Sequence, residues 1–502
     1  MAMEYSGQQQ NDPGSLSAFR PSLELLKQKL GSNNDIIFRQ IYVNAAKPIP
    51  LTLVFAEGVV DHANLSDYVI KPLVSGASFK EAKTEEDVFE LVKHGAIYYS
   101  DQSIRENAQD TIDDILTGGA AILFEKSGAA VTFVMKGFAR RAVSEPSGEN
   151  ILKGAKDSLV ESISTNIATV RSKLGTPELQ VDMFTVGRQT KTKIGVFYIK
   201  GLTNAGFVQK ITDRIKSIDI SEALSISHIE DFLKDTRYTL FPQFSVTERP
   251  EKVCADLAEG RVCVIIDGIP YAVVAPGVLA CVMQGAEDYS MNPIYVSLTR
   301  FLRYFFIAIS LLLPALFVAL NTFHPEMLPN RLVESIANDR QMIPFNLFLE
   351  ALITLFSFEV LIEAGLRLPK VTGQAVTIIG AFLVGTAAVA AKLIASSILI
   401  VVAISFITSF VCPNKDLFNA VRIWRIVLTI AGGIIGLIGV TFAFFIMMLD
   451  LARIEVLGVP YLAPFAGEYK PKLQDTLMRL SARLQNFRPS YLKTSNRRKE
   501  DG

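Results

Sequence analysis

"FNLFLEALITLFSFEVLIEAG", residues 345–365, has the length and apolar content of a membrane helix, yet it carries Glu350, Glu359 and Glu363. An acid at the centre of the hydrocarbon costs roughly 2.5 to 3.5 kcal/mol on insertion scales, so three of them would offset most of what the Leu, Ile and Phe side chains gain. The stretch spans a membrane only if something compensates its charges, and its reading decides the fold of the second half of the chain.

The surroundings make the question sharp. The chain has 502 residues, 50 % of them hydrophobic and 20 % charged, too apolar for an ordinary soluble protein and too charged for an all-membrane one. Residues 1–299 contain no uncharged apolar run near the roughly 20 residues a spanning helix needs. Residues 301–449 contain four apolar runs of about that length, Phe301–Leu320 and Ile423–Leu449 with one arginine each (Arg303 and Arg425) and Gln374–Ala391 and Ile394–Val411 with none, and Phe345–Glu363 is an ambiguous fifth. The expected fold is an α/β two-subdomain soluble N-terminal region followed by an all-α polytopic transmembrane domain. Its expected divisions are a flexible segment 1–35, α/β subdomains 36–143 and 144–295, a helical domain 296–450 with four to five membrane segments, and a basic cytoplasmic tail 451–502. The opening residues "MAMEYSGQQQNDPGSLS" have neither a basic start nor an apolar stretch, so no cleaved leader is expected and the N-terminal domain is placed in the cytoplasm.

The tail 451–502 carries ten Lys and Arg against five acids, which fits either the cytoplasmic face beside anionic membrane lipids or a simply solvated tail. If the amino end is inside and five segments cross, that tail ends outside. One segment is therefore expected to be re-entrant or interfacial. Residues 345–363 qualify through their acids, and 423–449 qualify because Gly432, Gly433, Gly436 and Gly439 can break them. Arg367, Lys370, Lys415, Arg422 and Arg425, read as loop charges, favour the second; hydrophobicity favours the first, which is preferred.

In the soluble half, "IPLTLVFAEGVV" (49–60) reads as a strand followed by the helical "LSDYVIKPLV", and "AAILFEKSGAAVTFVMKG" (120–137) as two strands around a turn. Apolar positions Leu152, Ala155, Leu159, Ile163, Ile167, Val170 and Leu174 predict a bridging helix stopped at Gly175. "VDMFTVGRQTKTKIGVFYIKG" (181–201) and "RVCVIIDGIPYAVVAP" (261–276) predict hairpins that repeat the theme. The four cysteines lack CxxC spacing, the four histidines are scattered, and no nucleophile elbow, P-loop, HExxH or dinucleotide fingerprint occurs. No enzyme activity, cofactor, metal site or nucleic-acid partner is expected.

Taken in order, "RRAVSEPSGENILKGAKDSLVESISTNIATVRSKL", "GRQTKTKIGVFYIKG", "LFPQFSVTERPEKVCADLAEGRVCVIIDGIPYAVVAP", "EDYSMNP", "HPEMLP", "EAGLRLP", "GQAVTIIGAFLVG" and "GVPYLAPFAG" resemble the A subunits of GerA-type spore germinant receptors, over roughly residues 36–490. The resemblance implies a subunit of a nutrient-sensing complex in the inner membrane of the bacterial spore, with its N-terminal domain on the core side. It implies a transporter-like B subunit and a lipoprotein C subunit as partners. It also implies assembly of A subunits into a ring, by family pattern a pentamer, that releases monovalent cations. The chain departs from the family at Ile362, usually Arg before "EAG", at Asn346, usually a second Pro, and at Ser290, often Tyr. These leave open a sporulation paralogue or a non-conducting membrane scaffold.

At about 100° per residue Glu359 and Glu363 share a helix face and Glu350 points away. Glu350 and Glu363 can sit at interfaces paired by Arg340 and Arg367, Glu359 can face water or a cation path, or the segment can lie in the interface. In 374–391, Thr377, Gly380, Ala381, Val384, Ala387, Ala388 and Ala391 form a stripe of small residues that serves close helix packing or, in a ring, a pore with Val384 as an apolar gate. In the soluble half Glu145, Glu149, Glu248 and Arg249, near helix–strand junctions, are candidates for coupling the subdomains, through caps and a buried ion pair or through a ligand contact.

Overall fold

The computed structural model describes residues 19–44, 48–137, 148–149, 153–367, 385–466 and 475–499. The β-branched and aromatic runs of the first half become strands, as their shape favours. β1 (Ile36–Val43), β2 (Ile49–Ala56), β3 (Gln102–Arg105), β4 (Gly119–Phe124) and β5 (Ala129–Val134) form an antiparallel sheet in the order β1-β2-β4-β5-β3. A helical segment over residues 62–75 and three further helices, α1 (Leu23–Leu30), α2 (Glu85–Lys93) and α3 (Ala108–Leu116), cover it. α1 and α3 pack on the face of Val54, Ala121 and Leu123, and α2 on the face of Leu53, Ile122 and Phe124, so β4 is buried on both sides.

A second sheet follows. α4 (Ile163–Lys173) precedes β6 (Leu179–Val186) and β7 (Thr192–Ile199); α5 (Ala205–Lys216) and α6 (Ile226–Leu233) precede β8 (Ser245–Thr247); α7 (Pro250–Glu259) precedes β9 (Val262–Ile266) and β10 (Ala272–Ala275). The strand order β6-β7-β9-β10-β8 is the same permutation as in the first sheet. The fold thus repeats one α-β-β-α-α-β-α-β-β plan. α4 joins the two copies: Ala168 packs into the first core while Ile163, Ile167 and Val170 pack into the second. From α4, Arg171 donates through Nε and Nη2 to Asp35, at the entry to β1, at 2.6 and 2.9 Å.

The bridging helix starts at Ile163 rather than Leu152. Backbone groups upstream are used elsewhere: the Leu159 N–H donates to Glu248 O, Ala155 O accepts from Arg249, and the Asn166 side chain bonds both main-chain groups of Val160. Ser162 then caps the helix by accepting from Thr165 N–H, as hydroxyl caps do.

The described residues form two compact units. The first holds both sheets together with residues 492–498, and the second holds 234–245 and 276–491. Residues 492–498 are folded in place: Leu492 is fully buried, the Ser495 N–H donates to Leu202 O at 3.3 Å, and Thr494 packs against Gly260.

The second unit is helical. α8 (Pro293–Phe323), α9 (Asn330–Arg340), α10 (Leu347–Arg367), α11 (Ser396–Ser409), α12 (Lys415–Ile435) and α13 (Leu437–Arg453) are its main helices, and residues 385–390 are also helical. Among the described residues α8 and α12 are long and apolar enough to cross a membrane, and α11 is a shorter apolar helix. Residues 345–363, preferred above as the re-entrant or interfacial segment, lie almost entirely in the continuous 21-residue α10. The break falls in 423–449, at Gly436, whose φ of 71° and ψ of −147° are accessible essentially to glycine alone.

At Gly436 the chain doubles back. α12 starts beside Gly285, which faces Pro413, and ends where Gly436 meets Phe323, so it runs parallel to α8. α13 returns, and the chain beyond it places Phe465 on the ring of Tyr304, in the first half of α8. The start of α8 and the end of α13 therefore lie at the same end of the bundle.

Candidate functional site in the helical unit

Each of the three acids in the opening stretch has a basic partner. Glu363 is exposed and accepts from Arg367, one turn on, at 2.8 and 3.0 Å. Glu350 is fully buried, 3.3 Å from Arg340 Nε, and also accepts the N–H of Ala395. Asp339 accepts beside it from Ser396 Oγ at 3.0 Å and from the Ser397 N–H at 3.3 Å. Two carboxylates thus cap α11, where exposed N–H groups and the helix dipole favour negative charge.

Glu359 lies at mid-helix between two guanidiniums of α12. Arg422 Nε is 2.8 Å from Oε2 and Arg425 Nη2 is 3.0 Å from Oε1. Arg425 is fully buried, reaches Ser405 O at 3.4 Å, and lies 3.8 Å over the Phe406 ring, which stacks on Phe358. Ser405 Oγ in turn donates to Ser310 O of α8 at 2.7 Å. One carboxylate therefore joins four helices: α10 carries it, α12 pairs it, and α11 and α8 brace the pair. Pairing and hydrogen bonding are what make buried charge tolerable. The sequence reading treated Arg422 and Arg425 as loop charges; their three-residue spacing, set in an apolar run, was the signal that they face one acid.

Of the small-residue stripe, Ala387 and Ala391 are exposed and Ala388 is half-buried against the core of Val318, Leu355 and Ile398. Thr377, Gly380, Ala381 and Val384 lie outside the described residues. In the first unit Glu145 also lies outside them. Arg249 donates to Glu149 O at 2.9 and 2.6 Å and to Ala155 O at 2.9 Å, while Thr247 Oγ1 donates to Glu149 Oε2 at 2.7 Å. Glu248 is buried, and its carbonyl holds Leu159. These residues fasten the segment before α4 to the start of α7.

A second charged cluster went unread in the sequence. Buried Asp288 accepts from Arg300 Nε at 2.9 Å and from Arg303 Nη2 at 3.2 Å, and Arg300 Nη1 donates to Asp475 at 3.0 Å. The ring of Tyr289 lies between the Arg300 and Arg479 guanidiniums at 5.6 and 5.5 Å, and its hydroxyl donates to Asp475 at 2.9 Å. Part of the basic tail is thus clasped to the start of α8. The signal was Asp288 within "EDYSMNP", whose Asn292 caps α8 and whose Pro293 opens it.

The sequence model described as Bacillus/Clostridium GerA spore germination protein matches residues 24–491. The chain belongs to the GerA family. It is 32 % identical to spore germination protein KA of Bacillus subtilis (strain 168), over 90 % of this chain and 83 % of that one. It is also 32 % identical to the uncharacterized membrane protein YfkQ of the same organism, over 96 % of this chain and 92 % of that one. The crystal structure of the N-terminal domain of the A subunit of the Bacillus megaterium spore germinant receptor GerK3 matches with a TM-score of 0.40 and 27 % identity, covering 51 % of this chain and 94 % of that chain.

At two of the positions read above as departures, the structure of this GerA protein gives the residue a place. Ile362 packs against the core of α10 and α11. Asn346 caps α10 by accepting from Leu349 N–H at 2.8 Å, work a proline side chain cannot do.

Proposed function

We propose that this GerA protein is the A subunit of a spore nutrient germinant receptor, a multi-pass protein of the spore inner membrane that works with B and C partner subunits. The match over residues 24–491 carries this reading. The apolar helices α8 and α12 fit a membrane location. The bundle topology, with the start of α8 and the end of α13 at one end, fits a basic tail on the same side as the N-terminal region.

We further propose that A subunits assemble into a ring and that a monovalent cation path runs along its axis. In this reading Glu359 is a positioning residue. Two guanidiniums already neutralise it, so it fixes α10 against α12 instead of coordinating a passing ion. The gate is then sought in the small-residue stripe, with Val384 as the apolar narrowing that stays dry when closed. Val384→Ala is expected to let spores lose monovalent cations without nutrient while the subunit reaches its normal level. Tight, dormant spores at normal subunit level would refute the gate.

A second reading, a non-conducting scaffold, is favoured by one observation: every acid of α10 has a basic partner, which leaves no free carboxylate there for a cation. Cation flux through the complex reconstituted in vesicles separates the two readings.

A further inference from the structure

α13 turns Phe442, Phe445, Ile446 and Leu449 outward, all large and all exposed. Their spacing places them on one helix face. Arg453, one turn past Leu449, continues that face with 66 % of its side chain exposed. A face that changes from Leu to Arg within one turn marks where hydrocarbon gives way to headgroups, because arginine lays its stem along the apolar layer and keeps its charge among phosphates.

A loop is fastened at this level. Arg453 Nη2 donates to Tyr238 O at 3.4 Å, Thr239 Oγ1 donates to Asp450 Oδ2 at 3.0 Å, and Asp235 accepts the Leu457 N–H. Behind the loop, buried Gln243 accepts from the N–H groups of Asp235 and Thr236 at 3.2 and 3.3 Å, and buried Phe241 meets the Tyr461 ring at 6.4 Å. The backbone is braced, yet Arg237, Tyr238 and Leu240 point outward, and Tyr238 is 90 % exposed. An amphipathic ring, a leucine and two guanidiniums at the end of an apolar face have the composition of a membrane-interface belt.

We propose that loop 235–241 docks into the headgroup layer of an anionic phospholipid membrane. Tyr238 and Leu240 enter the glycerol region, and Arg237 and Arg453 meet lipid phosphates. The proposal rests on the reading of α13 as a membrane helix, and its test separates the two.

Trp424 is the single tryptophan, so Trp424→Phe gives a silent background. In that background Tyr238→Trp and Phe442→Trp are each placed in the full chain, in vesicles of phosphatidylcholine and phosphatidylglycerol. The lipids are brominated either near the glycerol end or near the middle of the acyl chain. Tyr238→Trp is expected to be quenched about twofold or more strongly by the shallow bromines than by the deep ones, and Phe442→Trp the reverse. Adding Arg237→Gln and Arg453→Gln is expected to weaken the shallow quenching when phosphatidylglycerol is present. If Phe442→Trp is quenched but Tyr238→Trp is not, the loop proposal falls while the membrane helix stands. In that case free access of acrylamide to the new tryptophan places the loop in water, and protection places it under another protein surface. If neither is quenched, the membrane reading of α13 falls and the proposal falls with it.

Discussion

Arg425 Nη2 lies 3.0 Å from Glu359 Oε1 while its guanidinium carbon sits 3.8 Å above the Phe406 ring. The two charged residues are 66 positions apart in sequence, so their pairing fixes how α10 and α12 are registered. Arg425 has no exposed surface, and its charge therefore depends on this one carboxylate and on the ring beneath it.

Glu359→Gln is expected to destabilise the helical unit by roughly 3–5 kcal/mol, because it leaves a buried guanidinium without its counter-charge. Thermal unfolding of purified protein in detergent reads this directly. The double variant Glu359→Gln with Arg425→Gln is expected to recover part of the loss, since it removes both charges together. Equal damage in single and double variants would mean that the pair does not stabilise the bundle.

Gly436→Ala is expected to cost about 1–3 kcal/mol through backbone strain alone. The new methyl would also stand 3.0 Å from Phe323. Reduced protein level and faster proteolysis within 430–440 are the measurable consequences. An alanine variant as stable as the parent would show that the turn does not need this backbone geometry.

Arg249→Ala removes donors from two main-chain carbonyls in a buried place, at an expected cost of roughly 1–3 kcal/mol. Subunit abundance in spores is expected to fall, and Arg249→Lys, which lacks the fork, is expected to rescue it only in part. Normal abundance with lost nutrient response would assign Arg249 a signalling role instead.

Burial pushes the Cys254 thiol up to about 12, and that of Cys263 well above the ordinary 9.0. Neither is expected to react with maleimide at mildly alkaline pH until denaturant is added. The sign follows from the shift. With the folded value above the unfolded one, the thiols do not oppose folding near neutral pH, and their contribution to stability declines as pH rises past the unfolded value. Rapid labelling of the folded protein would show that this core opens readily.

Hairpins were the most legible part of the sequence, because alternation and turn residues lie within a few positions of one another: "AAILFEKSGAAVTFVMKG" became β4 and β5 almost residue for residue. The bridging helix was misjudged at its start, since periodicity at Leu152 and Leu159 says nothing about Arg249 and Glu248 claiming the intervening backbone from about a hundred residues away. Gly436 was marked as a possible break, but a glycine cannot announce that its φ is positive. The acids of α10 could be flagged as costly, whereas their partners Arg422 and Arg425 lie beyond any local window. The shared strand order of the two sheets, invisible in composition, emerged only from pairing.

The placement of residues 492–498 in the first unit has a consequence for biosynthesis. The ribosome makes the two sheets first and these residues only after every apolar helix has been translated. Leu492, with no exposed surface, cannot reach its seat until then. Residues 492–498 therefore take their place in the first unit only after the helical unit has been synthesised, although that unit's own strands were the first to leave the exit tunnel.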